Sequence, residues 1–255
     1  MEDRHAFRKG VRSSILHPRS SFFLPHPQPP ILPHLSTSRR SFMVPPSSTS
    51  LPAMIAFIKW HRPADAVATE AYEVSLRSFH RKLALCKPPG FEYAVTFRCN
   101  PAPWFAAAEV IYSDWYLMRH AAALDKLQDA AVSGACEQPH ATLVAQAAPD
   151  VATGLYRHRL GRCDLRYAAY AYWFTKPTTI NYTELLDTLR PLAHHQKVDL
   201  WIRYLGLSPA PECCLLVAEQ SSIRAALQQV ETTLSQVSTA FIESPLRTWT
   251  TSWPT

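Results

Sequence analysis

The sequence predicts an α+β chain of two βαββαβ units, on three observations. The stretch from Glu109 to Gly134 reads as a buried strand feeding directly into a helix. Around it the apolar period alternates between two and about 3.6 in the order strand, helix, strand, strand, helix, strand. That order and its proline punctuation then recur: Ser208-Pro209-Ala210-Pro211 stands as Asn100-Pro101-Ala102-Pro103 stood 108 residues earlier.

The first strand is the apolar run MIAFIKWHRP from Met54, ending at Pro63, where a helix can begin because a first-turn residue has no use for its N–H. Tyr72, Leu76, Phe79 and Leu83 follow at helical spacing, and Pro88-Pro89-Gly90 stops that helix. Phe91 to Arg98 alternates strictly, with Phe91, Tyr93, Val95 and Phe97 on one face and Glu92, Thr96 and Arg98 on a wetter one. In the central strand Val110, Tyr112, Asp114 and Tyr116 alternate with Ile111, Ser113, Trp115 and Leu117, so one of two largely apolar faces carries a carboxylate among aromatics. From His120 the stripe Ala123, Leu124, Leu127, Ala130 and Ala131 is helical, and Gly134 suits a left-handed cap. A short helix starting near Pro139 and the strand GLYRHRLG complete the unit.

The second unit repeats the order. AAYAYWFTKP resembles the opening strand and ends at Pro177; Tyr182, Leu185, Leu186 and Leu189 form a helical stripe; Val198 to Tyr204 alternates again. An apolar strand from Cys213 to Ala218 and a helix with Ile223, Leu227, Val230, Leu234 and Val237 follow, and RTWTTSW closes the set as an eighth strand.

Duplicated βαββαβ units follow the ferredoxin-like plan, an antiparallel sheet with helices on one face only. Packing sheet to sheet covers the bare faces and sets the polar positions of the central strands into a cavity between the halves. In this topology, and in the segments KWHRP, SDWYLM, AAVSG and GLYR, the chain resembles the dimeric α/β-barrel superfamily. The resemblance covers residues 54 to about 253 and implies two ferredoxin-like halves, 54–160 and 161–255, packed sheet to sheet as an intrachain dimeric α/β barrel. That superfamily includes cofactor-independent monooxygenases, polyketide cyclases and dehydratases, chlorite-dismutase-like haem proteins and stress-induced barrels, so the likeness implies a fold without selecting an activity. A barrel closed by one chain is complete as a monomer, and a homodimer is optional.

Composition excludes several classes. The net charge of +6 arises in residues 1–53, which hold seven Lys or Arg against Glu2 and Asp3 and leave the body near neutral. Nucleic-acid binding therefore has no basic body surface to rest on. The same segment holds nine of the 22 prolines and a run of serines, which predicts disorder. As an Arg- and Ser-rich, acid-poor leader it suits a mitochondrial or plastid transit peptide as well as an inert extension of a cytoplasmic protein. No stretch approaches the roughly 18 apolar residues of a membrane helix. With six glycines and no P-loop, G-x-G-x-x-G, H-E-x-x-H or G-x-S-x-G element, no cofactor is called for. Cys86, Cys99, Cys136, Cys163, Cys213 and Cys214 lack metal-ligand spacing and are expected as free thiols, with Cys213 and Cys214 on opposite faces of one strand.

Strand alternation groups Ile55, Phe57, Lys59 and His61 on one face and Tyr112, Asp114 and Tyr116 on another, a set suited to acid–base work. His61 is the expected general base or acid, because imidazole titrates near neutrality without help. Asp114 either orients it or, desolvated among aromatics, has a raised pKa of its own. Tyr112, Tyr116 and Lys59 are placed as substrate-binding residues, with Trp60 and Trp115 packing around the cavity. His140, at an expected helix start that would keep it neutral, is the reserve base. The bland alternatives are ordinary: Lys59 and His61 at a solvent end, Asp114 in a structural hydrogen bond, His158 on an exposed edge, His194 and His195 closing a helix. Aligning Pro63 with Pro177 sets Trp60 against Phe174 and His61 against Thr175, so the second half lacks the imidazole.

These residues point to a cofactor-independent enzyme of isomerase, cyclase, dehydratase or oxygenase type, acting on an apolar or aromatic small molecule. The competing class is a non-catalytic ligand-binding or structural barrel, which gains ground if His61 and Asp114 face helices or solvent. A haem-binding barrel is a third reading, testable by its Soret band after reconstitution.

Overall fold

Eight strands close into one antiparallel barrel in the computed structural model, which describes residues 54–100, 102, 104–105, 110–176, 178–195, 198–206, 209–219 and 242–249. The expectations for residues 1–53 and for the helix through Ile223 and Val237 fall outside them. In chain order the elements are β1 (Ile55–His61), α1 (Thr69–Cys86), β2 (Phe91–Cys99), β3 (Ile111–Met118), α2 (Ala123–Ala131), α3 (Gly134–Gln146), β4 (Ala152–Leu160), β5 (Tyr170–Phe174), α4 (Tyr182–His195), β6 (Val198–Leu205), β7 (Cys213–Val217) and β8 (Ile242–Trp249). No helix among the described residues is long and apolar enough to cross a membrane.

Around the barrel the order is β1-β3-β2-β8-β5-β7-β6-β4. The groups β4-β1-β3-β2 and β8-β5-β7-β6 therefore share one internal order. The expected sheet-to-sheet stacking is modified, because β2 hydrogen-bonds β8 and β4 hydrogen-bonds β6, which joins the two groups along both edges. Closure leaves no free edge among the described strands. His158 on β4 is accordingly not exposed: its side chain is 8% accessible and its Nε2 lies 2.9 Å from Asp199 Oδ1. The Cys163 backbone N–H donates to the same oxygen, which pins the connection into β5.

Two chemically different layers result. The barrel interior is filled by Trp60, Phe97, Trp115, Tyr156, Trp173 and Trp201 with smaller residues between them. The opposite face of β1, β2 and β3 packs on Tyr72, Leu76, Phe79 and Leu83 of α1, the stripe that the spacing predicts, and on α2 and α3. A bulge between Phe91 and Tyr93 shifts the β2 register, so Phe91 joins the helix layer with Ala94 while Val95 and Phe97 stay inside. Tyr172 and Phe174 face α4 and Trp173 faces the interior, so by face Trp60 corresponds to Trp173 and His61 to Phe174, one residue from the proline alignment.

Helix boundaries shift in informative ways. Pro63 starts no helix; it bridges Ala147 beside hydrogen bonds from Ala64 to Gln146 and from Ala148 to Arg62, tying the exit of β1 to the end of α3. α3 begins at Gly134, whose φ of 53° has the left-handed form expected there, and Pro139 lies inside it. α4 opens on a reciprocal cap in which Asn181 N–H donates to Glu184 Oε2 and Glu184 N–H to Asn181 Oδ1, and it closes at His195. All six cysteines are free, Cys213 faces the helix layer and Cys214 the interior, and the Cys86 and Cys136 thiols meet at 3.2 Å.

Candidate active site

Register brings the polar groups together. β1 and β3 pair Lys59 with Asp114 and His61 with Tyr112, while β2 and β3 pair Thr96 with Asp114. These side chains project toward α1, α2 and α3 rather than into the barrel, which overturns the expected cavity between the sheets. The polar strand positions lie under helices because α1 meets them with Tyr72 and His80 on its buried stripe.

Asp114 is 1% accessible and accepts four hydrogen bonds. Its Oδ2 receives His61 Nε2–H at 2.9 Å, His80 Nε2–H at 3.2 Å and the Tyr116 hydroxyl at 3.0 Å. Its Oδ1 receives the Thr96 hydroxyl at 2.6 Å. Burial pushes the Asp114 pKa up, but the imidazoles of His80 and His61 outweigh it and hold the carboxyl well below its ordinary value. The direction is opposite to the raised value expected from desolvation alone, and the geometry is that of a carboxylate accepting hydrogen bonds on both oxygens. Nδ1 of His80 is buried without a partner.

His61 has both ring nitrogens engaged. With Nε2–H committed to Asp114, Nδ1 accepts the Tyr72 hydroxyl at 2.6 Å. Burial, then the Asp114 charge, raises the Tyr72 pKa well above the ordinary phenol value and keeps its proton in place. The result is a three-member chain, Tyr72 to His61 to Asp114, with Tyr72 as its outer end. Tyr112 stacks on His61 at 5.8 Å and donates to Glu73 Oε1 at 2.8 Å, which makes it a supporting wall.

Over this cluster lies a pocket of about 520 Å³ between the sheet and α1, α2 and α3. Its apolar lining includes Phe57, Phe79, Leu83, Leu127, Leu143 and Val144, and its polar lining includes Lys59, His61, Tyr72, Asp114, Tyr116 and His140. His140 sits inside α3 rather than at its start, so burial and the Lys59 charge, not a helix dipole, lower its pKa. Trp60 and Trp115 are turned away into the barrel, where they border a void of only about 10 Å³ and contact Trp104, Trp173 and Trp201. No metal-ligating group of three occurs among the described residues. The members that sequence reasoning passed over are Tyr72 and His80. Their signal was present, since His80 lies eight positions after Tyr72 and four after Leu76 on one stripe.

No protein-family model matches the sequence, and no curated protein matches it. Solved structures do. A candidate monooxygenase from Fusobacterium nucleatum superposes with a TM-score of 0.56 at 8% identity, covering 79% of this chain and 94% of that chain. A second candidate monooxygenase, from Lactobacillus acidophilus, gives a TM-score of 0.49 at 8% identity over 77% of this chain and 94% of that one. SnoaB, a cofactor-independent oxygenase from Streptomyces nogalater, gives 0.30 at 14% identity and spans 44% of this chain and 96% of its own. At such identities likeness speaks to architecture alone, and with the closed strand order above it shows that this chain has the dimeric α+β barrel fold.

Proposed function

We propose that the chain binds an apolar or aromatic small molecule in the pocket between β1, β3 and β4 and the helices α1–α3. The observation that carries this reading is the pocket itself, about 520 Å³ with a mainly apolar wall and a few convergent polar groups, which is how small-molecule sites are built. His61 and Asp114 face helices, and by the criterion set from the sequence that favours binding over catalysis.

A cofactor-independent acid–base enzyme of isomerase, cyclase, dehydratase or oxygenase type is the second reading, and the Tyr72–His61–Asp114 chain favours it. In this reading a substrate O–H or acidic C–H gives its proton to the Tyr72 oxygen as the Tyr72 proton passes to His61 Nδ1. The substrate leaves as an anion, Tyr72 stays neutral, and Asp114 balances the imidazolium. Tyr72 then touches the substrate and His61 acts through it, which revises the role first expected of His61.

Metabolite capture by the full chain, followed by turnover of the captured compound, separates the readings. Conversion that falls about 10²- to 10⁴-fold in Tyr72→Phe and His61→Ala supports the enzyme. Retention without conversion supports binding alone, and capture of nothing contradicts both.

The shared strand order of the two four-stranded groups, with the repeated Pro-Ala-Pro segments, further supports an origin by internal duplication in which only the first half kept the imidazole.

A further inference from the structure

Resting on the binding pocket proposed above, we infer that its ligand carries an anionic group, such as a carboxylate or an acidic phenolate or enolate oxygen, and that Lys59 binds that group.

Lys59 lies in the middle of β1 on the helix-facing side and lines the pocket. Its register partners are Asp114 on β3 and Thr153 on β4. A lysine directly across from a buried carboxylate would ordinarily pair with it. Here it does not, because both Asp114 oxygens are filled by His61, His80, Tyr116 and Thr96. Among the described residues the Lys59 ammonium has no hydrogen bond or ion pair, and its charge acts on His140 across the pocket. The remaining charged group on the lining, Asp129, is at the rim, with its side chain 77% exposed and 3.9 Å from Lys126. The pocket thus presents a part-buried cation without a direct partner beside an apolar wall, and such a cation favours an anionic group on the ligand.

The rim supplies the other half of the ligand description. Val132, Val144 and Val151 line the pocket yet are 57%, 50% and 43% exposed. They extend the apolar wall of Phe57, Phe79, Leu127 and Leu143 to the mouth. An amphiphile with its anion inward at Lys59 and its apolar body running outward along α2 and α3 satisfies both features.

Two dyes with one skeleton test this on the full chain. 8-Anilinonaphthalene-1-sulfonate carries an anion, and N-phenyl-1-naphthylamine is its neutral counterpart. The wild-type chain is expected to bind the sulfonate more tightly, with an affinity that falls as salt rises. Lys59→Met should weaken the sulfonate about tenfold or more and leave the neutral dye within about twofold, while Lys59→Arg keeps most of the preference. Val144→Trp, which fills the mouth, should weaken both. Equal binding of the two dyes with no effect of Lys59→Met overturns the anion assignment and leaves the pocket reading standing, as does an equal loss of both dyes in Lys59→Met. Failure of both dyes to bind, or indifference of both to Val144→Trp, overturns the pocket reading and the inference together, and binding of the neutral dye alone overturns the anion assignment only. If Lys59→Met does not fold, a salt-insensitive sulfonate affinity in the wild-type chain is the contrary result.

Discussion

Replacing Asp114 by Asn preserves its shape and removes its charge, so the cost can be worked from its partners. An amide oxygen at the Oδ2 position still accepts from His61, His80 and Tyr116, and Thr96 can turn its hydroxyl to accept from the amide. What disappears is charge assistance, since a hydrogen bond to a charged group contributes roughly 1.5–3 kcal/mol against roughly 0.5–1.5 for a neutral one. Four bonds losing up to about 1 kcal/mol each, offset in part by the vanished cost of burying a charge, give an expected destabilisation of about 2 kcal/mol. Urea unfolding followed by tryptophan fluorescence at pH 7 reads it. The pH dependence has a definite sign. Although burial raises the Asp114 pKa, His80 and His61 bring it below its unfolded value, so its contribution is complete above the unfolded carboxylate pKa of about 3.9 and is lost as pH falls through the folded one. The gap between wild type and Asp114→Asn should therefore narrow below about pH 4. An Asn variant within about 0.5 kcal/mol of wild type at pH 7, or a gap that ignores pH, would refute the ionised hub.

Three other substitutions probe separate parts of the molecule. Tyr72→Phe removes only the hydroxyl that His61 Nδ1 accepts, with an expected stability loss of about 1 kcal/mol in thermal melts and ligand affinity within a few-fold of wild type. Trp115→Ala empties the barrel interior and should cost about 3–5 kcal/mol in urea unfolding, yet leave the affinity of the folded fraction for the neutral dye unchanged, because Trp115 faces away from the pocket. Gly161 has φ of 104°, and a Cβ there would stand 2.0 Å from the Val198 carbonyl and 2.4 Å from Asp199 Oδ1, so Gly161→Ala should destabilise by more than about 2 kcal/mol.

Much of this architecture was legible because alternation and helical spacing are local. The stripe of α1, the two faces of β3 and the opposed Cys213 and Cys214 could all be taken from the chain. Which face lay inside was not, since period two sorts residues into sets without saying what covers each set. Both sets on β3 are rich in aromatics, and what covers each is a tertiary fact: the indoles of Trp60, Trp115, Trp173 and Trp201 meet inside the barrel, and the polar set meets the helix layer. The juxtaposition of His61 with Asp114 survived that inversion because it depends on register between neighbouring strands. Edge pairing was equally hidden, so His158 on a strand closed by β6 looked exposed and is instead paired with Asp199. The bulge at Phe91 and the true start of α3 depend on tertiary contacts that no local pattern carries.

The central claim is that ligand binds on the helix side of β1 and β3. A crystal structure of the full chain with its captured ligand, or with the sulfonate dye, tests it most directly. The expected density lies under α1–α3, with the anionic group at the Lys59 ammonium and the ligand body against Phe79 and Leu143 near the Tyr72 hydroxyl. Density inside the barrel, among Trp60, Trp104 and Trp173, would contradict it.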